Sequence, residues 1–513
     1  MKLRRVHIEN IRSFLEPATL RVDGNISIII GPNGGGKTNL LDTALTVLRM
    51  HLLTSWTPRL SPTEENPDRF EFVSNDIISN SRVLERHSQG AERDQRIEID
   101  LEVTEQDVSN MNAIKATANQ LADLADRKYV GASIRHAAEW DLAGVTSGRT
   151  FTYRVVNNSL ENSEDTACNI FRQYLGLYEV ANRLRDGLGE APLATPLLSL
   201  PVTRSASGFQ SLLSLANHNE YDYKRSVDAA TSRSPASLVP LAVGRIAQKY
   251  RLLLEEDSGQ AKQKFLEDPL IKSLSSVLMD LGYSWDLVTV NPMRNEYDVR
   301  LTKQGTSFLV SAASSGEKEL LTYLFAIYAL NVKDALIIVD EPELHLHPSW
   351  QKTLLRLFEK LADETGNQFL LATHSPVFVS PSSIQYVSRV FSQNQQSSII
   401  RLNSIELPDP KHLFGIINSQ NNERIFFSNK VILVEGLSDR LFFEALFQKL
   451  STNPSAPPEY EIVSVNGKGF FPAYRKVLNA CKIKHAVIAD LDYVNDIGRK
   501  ELGSVDKLDS QIT

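Results

Sequence analysis

Cysteine is nearly absent. Cys168 and Cys481 are the only two in 513 residues, and so separated a pair offers neither a disulfide framework nor the close spacing of a zinc site. That usage fits a reducing, cytoplasmic setting. Long hydrophobic runs are lacking too. The longest unbroken apolar stretch, Tyr323–Leu330, falls far below the roughly 20 residues that span a bilayer, so no membrane partner is expected. Met1–Asn10 alternates charged and apolar residues and has no signal-peptide core. An excess of positive charge is also missing: 55 Lys and Arg stand against 62 Asp and Glu, a net charge of −7. A uniformly basic nucleic-acid coat is therefore excluded, whereas a local basic groove is not. What is present is the balance of a folded protein, 42% hydrophobic and 23% charged, in a chain long enough for about three domains.

Patterning predicts strands over Val6–Asn10, Leu20–Val22 and Ile26–Ile30, the last a β-branched run suited to burial on both faces. A glycine loop and a helix over Asn39–Met50 follow. Residues 55–95 are polar and read as loop, and Arg96–Val103 alternates as a strand. The stretch 105–295 reads as an inserted, mostly helical and dimerising region, with helices at Val108–Leu124, Ala167–Leu184, Leu238–Leu254 and Lys262–Leu281 and a strand-like Pro196–Val202. From Tyr297, strands at Tyr297–Leu301, Ala335–Val339 and Gln368–Ala372 alternate with helices at Glu317–Asn331 and Ser349–Glu364, the pattern of a parallel α/β sheet. A connector over 391–429 leads to a second α/β pattern over 430–513.

Gly31-Pro32-Asn33-Gly34-Gly35-Gly36-Lys37-Thr38 fits G-x-x-x-x-G-K-[ST] between a strand and a helix. Backbone amides of Asn33, Gly34 and Gly36 can converge on phosphate oxygens at the positive end of the helix. Lys37 can reach the outer phosphates, and the Thr38 hydroxyl can ligate magnesium. Leu336–Val339 is an apolar strand ending in Asp340 and Glu341, the first suited to a metal's shell and the second to polarising an attacking water. Thr373-His374-Ser375 ends the next strand, from which His374 can contact a terminal phosphate. Ser314-Ser315-Gly316-Glu317-Lys318 opens a helix as an anion-binding turn.

A second acidic constellation lies near the end. Val431–Val434 delivers Glu435 into a turn at Gly436, with Asp439 at the start of the next helix. Ala486–Ala489 then ends in Asp490-Leu491-Asp492. Carboxylates from strand ends can converge on one or two magnesium ions, and paired ions stabilise both the attacking and leaving oxygens of a phosphodiester displacement. Gly467-Lys468-Gly469 forms a turn before the intervening helix; Lys468 reads equally as a phosphate contact or as a solvated lysine.

The order of glycine loop, Ser-Ser-Gly-Glu-Lys, Asp340-Glu341-Pro342-Glu343-Leu344-His345-Leu346-His347-Pro348 and Thr-His-Ser resembles an ABC-type, RecF-like ATPase head, assembled from residues 1–104 and 296–390. That resemblance implies a homodimer or higher oligomer in which Ser315 and Gly316 act across the interface on ATP held by the other subunit, with His347 in the segment linking the paired sites. Glu435-Gly436 followed by Asp490-x-Asp492 is similar to the Toprim domain. A head followed by Toprim resembles the OLD (overcoming lysogenization defect) family and the nuclease subunit of Gabija-type antiphage systems. It implies an ATPase and a metal-dependent DNA endonuclease of antiphage defence. ATP serves the head and magnesium or manganese the Toprim site, with Glu341, Glu435, Asp490 and Asp492 catalytic and Glu435, Asp439, Asp490 and Asp492 holding metal. Thr38 and Asp340 hold the head's magnesium. A second defence protein or a nucleic-acid component is an expected partner beside DNA. The chain ends 21 residues beyond Asp492, short for such a domain, and of the residues remaining Asp496, Lys500 and Asp506 could assist. That shortness motivates an alternative, a nucleotide-dependent sensor or scaffold that binds nucleic acid or a partner without cutting. The ATPase of a membrane transporter has no use for the second acidic site.

Overall fold

A computed structural model describes residues 1–53, 56–63, 69–74, 84–130, 134–200, 202, 212–217, 238–257, 259–344, 346–380, 382–404, 422–450 and 460–493. Asp496, Lys500, Asp506 and His345 lie outside the described residues. The chain forms two compact units: residues 1–27 with 38–372, and residues 28–37 with 373–513. The strand Ile26–Ile30 is divided between them by this partition.

In the first unit an antiparallel sheet runs in the order Ala18–Arg21, Lys2–Glu9, Arg96–Glu102, Thr150–Val156, Ser159–Leu160. Its alternation is regular: Ile97, Ile99 and Leu101 are buried while the residues between them are not, as a half-solvated sheet requires. The helices Glu105–Lys128 and Thr166–Gly187 pack against each other. The second carries a buried stripe that includes Phe171, Tyr174 and Leu175. Leu197–Leu200, Leu336–Asp340 and Gln368–Ala372 pair in parallel, with Leu197 opposite Leu336 and Leu336 opposite Gln368. Every residue of these three strands is buried, which explains their continuous apolar runs. The helix Pro348–Thr365 makes the crossover between the last two strands. It sets Phe358 between Tyr323 and Phe369, with both ring-centroid separations 5.0 Å; burying each such ring contributes about 1.5–3 kcal/mol.

Three expectations change. The 55–95 region is not all loop: Trp56–Leu60 and Phe70–Ser74 pair antiparallel, and Tyr129–Val130 joins them. The expected helix Lys262–Leu281 is two helices, Ala261–Glu267 and Pro269–Asp280. Asp268 accepts from the amides of Leu270 and Ile271 as N-cap and Pro269 takes the first helical position, where its missing N–H costs nothing. The inserted region also holds strands beyond the one expected, among them Thr150–Val156 and Ser284–Asn291.

In the second unit Val387–Gln393 pairs in parallel with the glycine-loop strand, Val387 opposite Ile28 and Arg389 opposite Ile30, and antiparallel with Gln396–Arg401. This strand runs through residue 390, the expected end of the head. Three parallel strands follow in the order Glu461–Ser464, Lys430–Val434, Lys484–Ile488, with helices Leu437–Leu450 and Phe471–Ala480 between them in sequence. The chain leaves the central strand to one side and later returns to its other side. The carboxyl end of Lys430–Val434 is thus a topological switch point, where open α/β sheets bind ligands. Arg389 ties the two sheets of this unit together. It is 1% exposed and donates to the carbonyls of Phe426 at 2.9 Å, Ser428 at 2.8 Å and Cys481 at 2.9 Å. Burial draws its guanidinium down to about 10.

Candidate nucleotide-binding motifs and acidic metal centre

The glycine loop is shaped by close approach. Gly31, Gly34 and Gly36 have φ of +145°, +72° and +108°, conformations open to glycine. A Cβ on Gly31 would stand 1.9 Å from the Val390 carbonyl oxygen and one on Gly35 2.7 Å from it, so the neighbouring strand's backbone excludes side chains there. Lys37 is 5% exposed. Its ammonium folds back to donate to the carbonyls of Gly31 at 2.8 Å and Pro32 at 3.0 Å. Asn33 and Gly34 are exposed at the loop's tip, and Gly36 is half-buried. His374 is exposed between two fixed neighbours: the Thr373 amide donates to Ile29 O at 3.0 Å, and the Ser375 amide to Thr373 Oγ1 at 2.9 Å. Its backbone is thereby bonded beside the strand that feeds the loop.

Thr38, half-buried, sits in the first turn of the helix Lys37–Val47. Asp340 ends its buried strand at 5% exposure. Glu341 has a left-handed backbone, φ +48°, fixed by its amide donating to Ala372 O at 2.8 Å; such conformations are uncommon outside glycine and cluster at functional positions. The turn before Ser315–Ala329 is a capping box. Ser314 Oγ accepts from the Glu317 amide, and Glu317 Oε2 accepts from the Ser314 amide at 3.0 Å and its hydroxyl at 2.7 Å. Ser315 is exposed and Gly316 half-buried at the helix's amino end. Glu317 Oε1 also accepts from the Tyr283 hydroxyl at 2.7 Å, and Lys303 donates to that hydroxyl at 2.9 Å. Burial pushes the Glu317 carboxyl up, but the hydrogen bonds from Ser314 and Tyr283, with Lys303 nearby, outweigh it and hold the group below its ordinary value. Burial, then the bond to Glu317, pushes the Tyr283 phenol up. His347 is exposed ahead of the helix Pro348–Thr365.

At the switch point Glu435, Asp490 and Asp492 offer carboxylate oxygens that all lie within 4.8 Å of one another. Glu435 is half-buried and the two aspartates are exposed. Asp439 does not join that group: its Oδ2 accepts from the Gly436 amide at 2.9 Å, closing the turn that presents Glu435. The all-oxygen donor set suits a hard divalent cation, whose magnesium shell spans about 4 Å between opposite oxygens. Lys468 Nζ donates to Asp492 Oδ2 at 2.7 Å, a bond that chiefly draws the Asp492 carboxyl below its usual value. That pairing, the capping box and the left-handed Glu341 were missed by sequence reasoning. Only the capping box left a contiguous signal, Ser314-x-x-Glu317.

These features define an α/β nucleotide-binding head and a Toprim-like carboxylate centre in one chain. Comparison with known families agrees. Residues 426–492 match the Toprim domain model of Overcoming lysogenization defect-like proteins. Residues 146–380 match an AAA domain model described for AbiEii-type toxins of Type IV TA systems, and residues 5–172 a further AAA domain model. The chain thus joins a segment that matches an AAA ATPase domain to one that matches an OLD-like Toprim domain. It is 29% identical over 188 residues to the Old nuclease of Escherichia phage P2, covering 35% of this chain and 32% of that protein. It is 28% identical over 229 residues to the OLD nuclease of Thermus scotoductus, covering 43% and 42%. The Retron Ec83 probable ATPase of Escherichia coli is 28% identical over 204 residues, covering 34% and 35%. The chain thus matches less than half the length of each of these relatives. An SmcHead bound to the C-winged helix domain of ScpA aligns at a TM-score of 0.39 and 13% identity, over 78% of this chain and 97% of that one. No described helix is long and apolar enough to cross a membrane.

Proposed function

We propose that this chain is an ATP-regulated, divalent-metal-dependent DNA endonuclease that acts in defence against phage. The convergence of Glu435, Asp490 and Asp492 within 4.8 Å at the switch point carries the reading. It is supported by the nuclease names of two relatives and, for defence, by the retron ATPase. Magnesium or manganese held there would neutralise the phosphodiester's charge and lower the pKa of an attacking water. Glu435 and Asp490 orient and charge-balance that centre, and its exposure suits a bulky, solvent-borne strand of DNA.

In the head, the amides of Asn33, Gly34 and Gly36 and the Lys37 ammonium hold the triphosphate, Lys37 by exchanging its loop carbonyls for phosphate oxygens. Thr38 and Asp340 serve the magnesium that accompanies ATP, Glu341 orients water, and His374 meets the terminal phosphate. Ser315 and Gly316 reach the nucleotide of a second copy, with His347 between the paired sites, so that ATP draws two heads into a cytoplasmic homodimer. Asp439 supports the metal centre by fixing the Gly436 turn.

The test is cleavage of supercoiled plasmid with magnesium or manganese, with and without ATP. Wild-type chain is expected to nick or cut only with metal, and ATP to change the rate. Glu435→Ala is expected to lower the rate at least about 100-fold. Undiminished cutting by that variant, with wild-type ATP binding, overturns the nuclease assignment.

A further inference from the structure

The turn Gly467-Lys468-Gly469 belongs to neither the glycine loop nor the three carboxylates, yet it is built onto the acidic centre. The strand Glu461–Ser464 lies on one side of Lys430–Val434, and Lys484–Ile488 lies on the other. Lys468 follows the first flank and Asp492 the second, so their 2.7 Å ion pair closes across the end of the central strand, where Glu435 stands. Flanking strands sit about 4.8 Å to either side, a gap a lysine stem spans.

Two further ties hold the ammonium in place. The Gly467 amide donates to the Glu435 carbonyl at 3.0 Å, with Gly467 at φ +123°. Phe471, three residues after Lys468, packs edge-on against Tyr493, the residue after Asp492, with ring centroids 4.9 Å apart. Both rings are buried. The lysine and its aspartate therefore ride on one framework, anchored to the backbone of the residue that supplies the third carboxylate.

We propose that Lys468 is the resident counter-cation of the acidic centre. It neutralises Asp492 while no divalent ion is present, and an entering ion must displace it from that carboxylate. An ammonium and a dication repel at this distance, and Lys468 occupies one of the two oxygens of a carboxylate that belongs to the centre. The proposal rests on the reading of Glu435, Asp490 and Asp492 as a metal centre.

The test is manganese binding to the full chain, followed by calorimetry and by electron paramagnetic resonance without nucleic acid. Lys468→Met is expected to bind manganese roughly two- to fivefold more tightly at low salt, the scale of a half-exposed ion pair. The gain should shrink in about 0.5 M salt, where charges are screened. Lys468→Arg should stay near wild type. Lys468→Gln, which keeps a donor without the charge, should match Lys468→Met if the latter melts early. Unchanged or weaker binding by folded Lys468→Met and Lys468→Gln overturns the proposal. A wild-type chain that binds no manganese, or a Glu435→Ala variant that binds it normally, overturns the metal-centre reading instead.

Discussion

The glycine loop and the acidic centre handle charge in opposite ways. The loop is close-packed: Lys37 is 5% exposed, and the Val390 carbonyl leaves no room for a side chain at Gly31 or Gly35. The acidic centre stands open, with Asp490 and Asp492 exposed and Lys468 paired with Asp492. A compact anion calls for a mould formed before binding, because backbone amides cannot be repositioned cheaply. An open carboxylate cluster stays accessible to solvent, and its charge is offset by a side chain that can be moved aside.

The largest expected effect would break this contrast outright. Gly31→Ala adds a Cβ where only 1.9 Å is available, at φ +145°, and should cost roughly 3 kcal/mol or more. Asp490→Ala should stay within about 0.5 kcal/mol of wild type. Equal losses for the two in denaturant melts would show that the loop is no more rigidly built than the centre. Next comes Arg389→Met. It strands three carbonyls that now accept from a buried guanidinium and should lower stability by about 2–4 kcal/mol.

A smaller loss, about 1 kcal/mol, is expected for Ser314→Ala through the lost N-cap. Its partner sets a pH signature. The Glu317 carboxyl is lowered in the folded chain, so its contribution is fully present above the ordinary carboxylate pKa and disappears as pH falls through the lower folded value. Glu317→Gln should flatten that acid limb in melts between about pH 5 and pH 3. The smallest effect sharpens the role of Asp439. Asp439→Asn preserves an acceptor for the Gly436 amide, so manganese affinity should hold within about twofold, whereas Asp439→Ala should weaken it further. Equal, large losses from both would make Asp439 a ligand in its own right.

Contiguous chemistry was legible. The glycine loop, the Asp340 strand and the two strands that lead to Glu435 and Asp490 each declare themselves within eight residues or fewer, because hydrophobic runs and turn residues encode them locally. The Asp268-Pro269 break was equally written in the sequence, an N-cap followed by proline, but the apolar period on both sides runs across it. Thr150–Val156 alternates cleanly, yet it follows helical patterns and pairs with a strand more than 40 residues earlier. The Lys468–Asp492 pair and the left-handed Glu341 could not be read. The first depends on strand order and the second on the Ala372 carbonyl, neither of which is a property of neighbouring residues.

The partition of Ile26–Ile30 between the two units has a practical corollary for anyone dissecting the molecule. Severing the polypeptide after Ala372 would leave Ile28–Lys37 on the amino-terminal fragment and give a carboxy-terminal fragment whose Val387–Gln393 strand has lost its parallel companion. Independent expression of a carboxy-terminal piece therefore calls for grafting the Ile28–Lys37 segment back by circular permutation, or for starting past Gln396–Arg401 and replacing Arg389's three carbonyl bonds by other means.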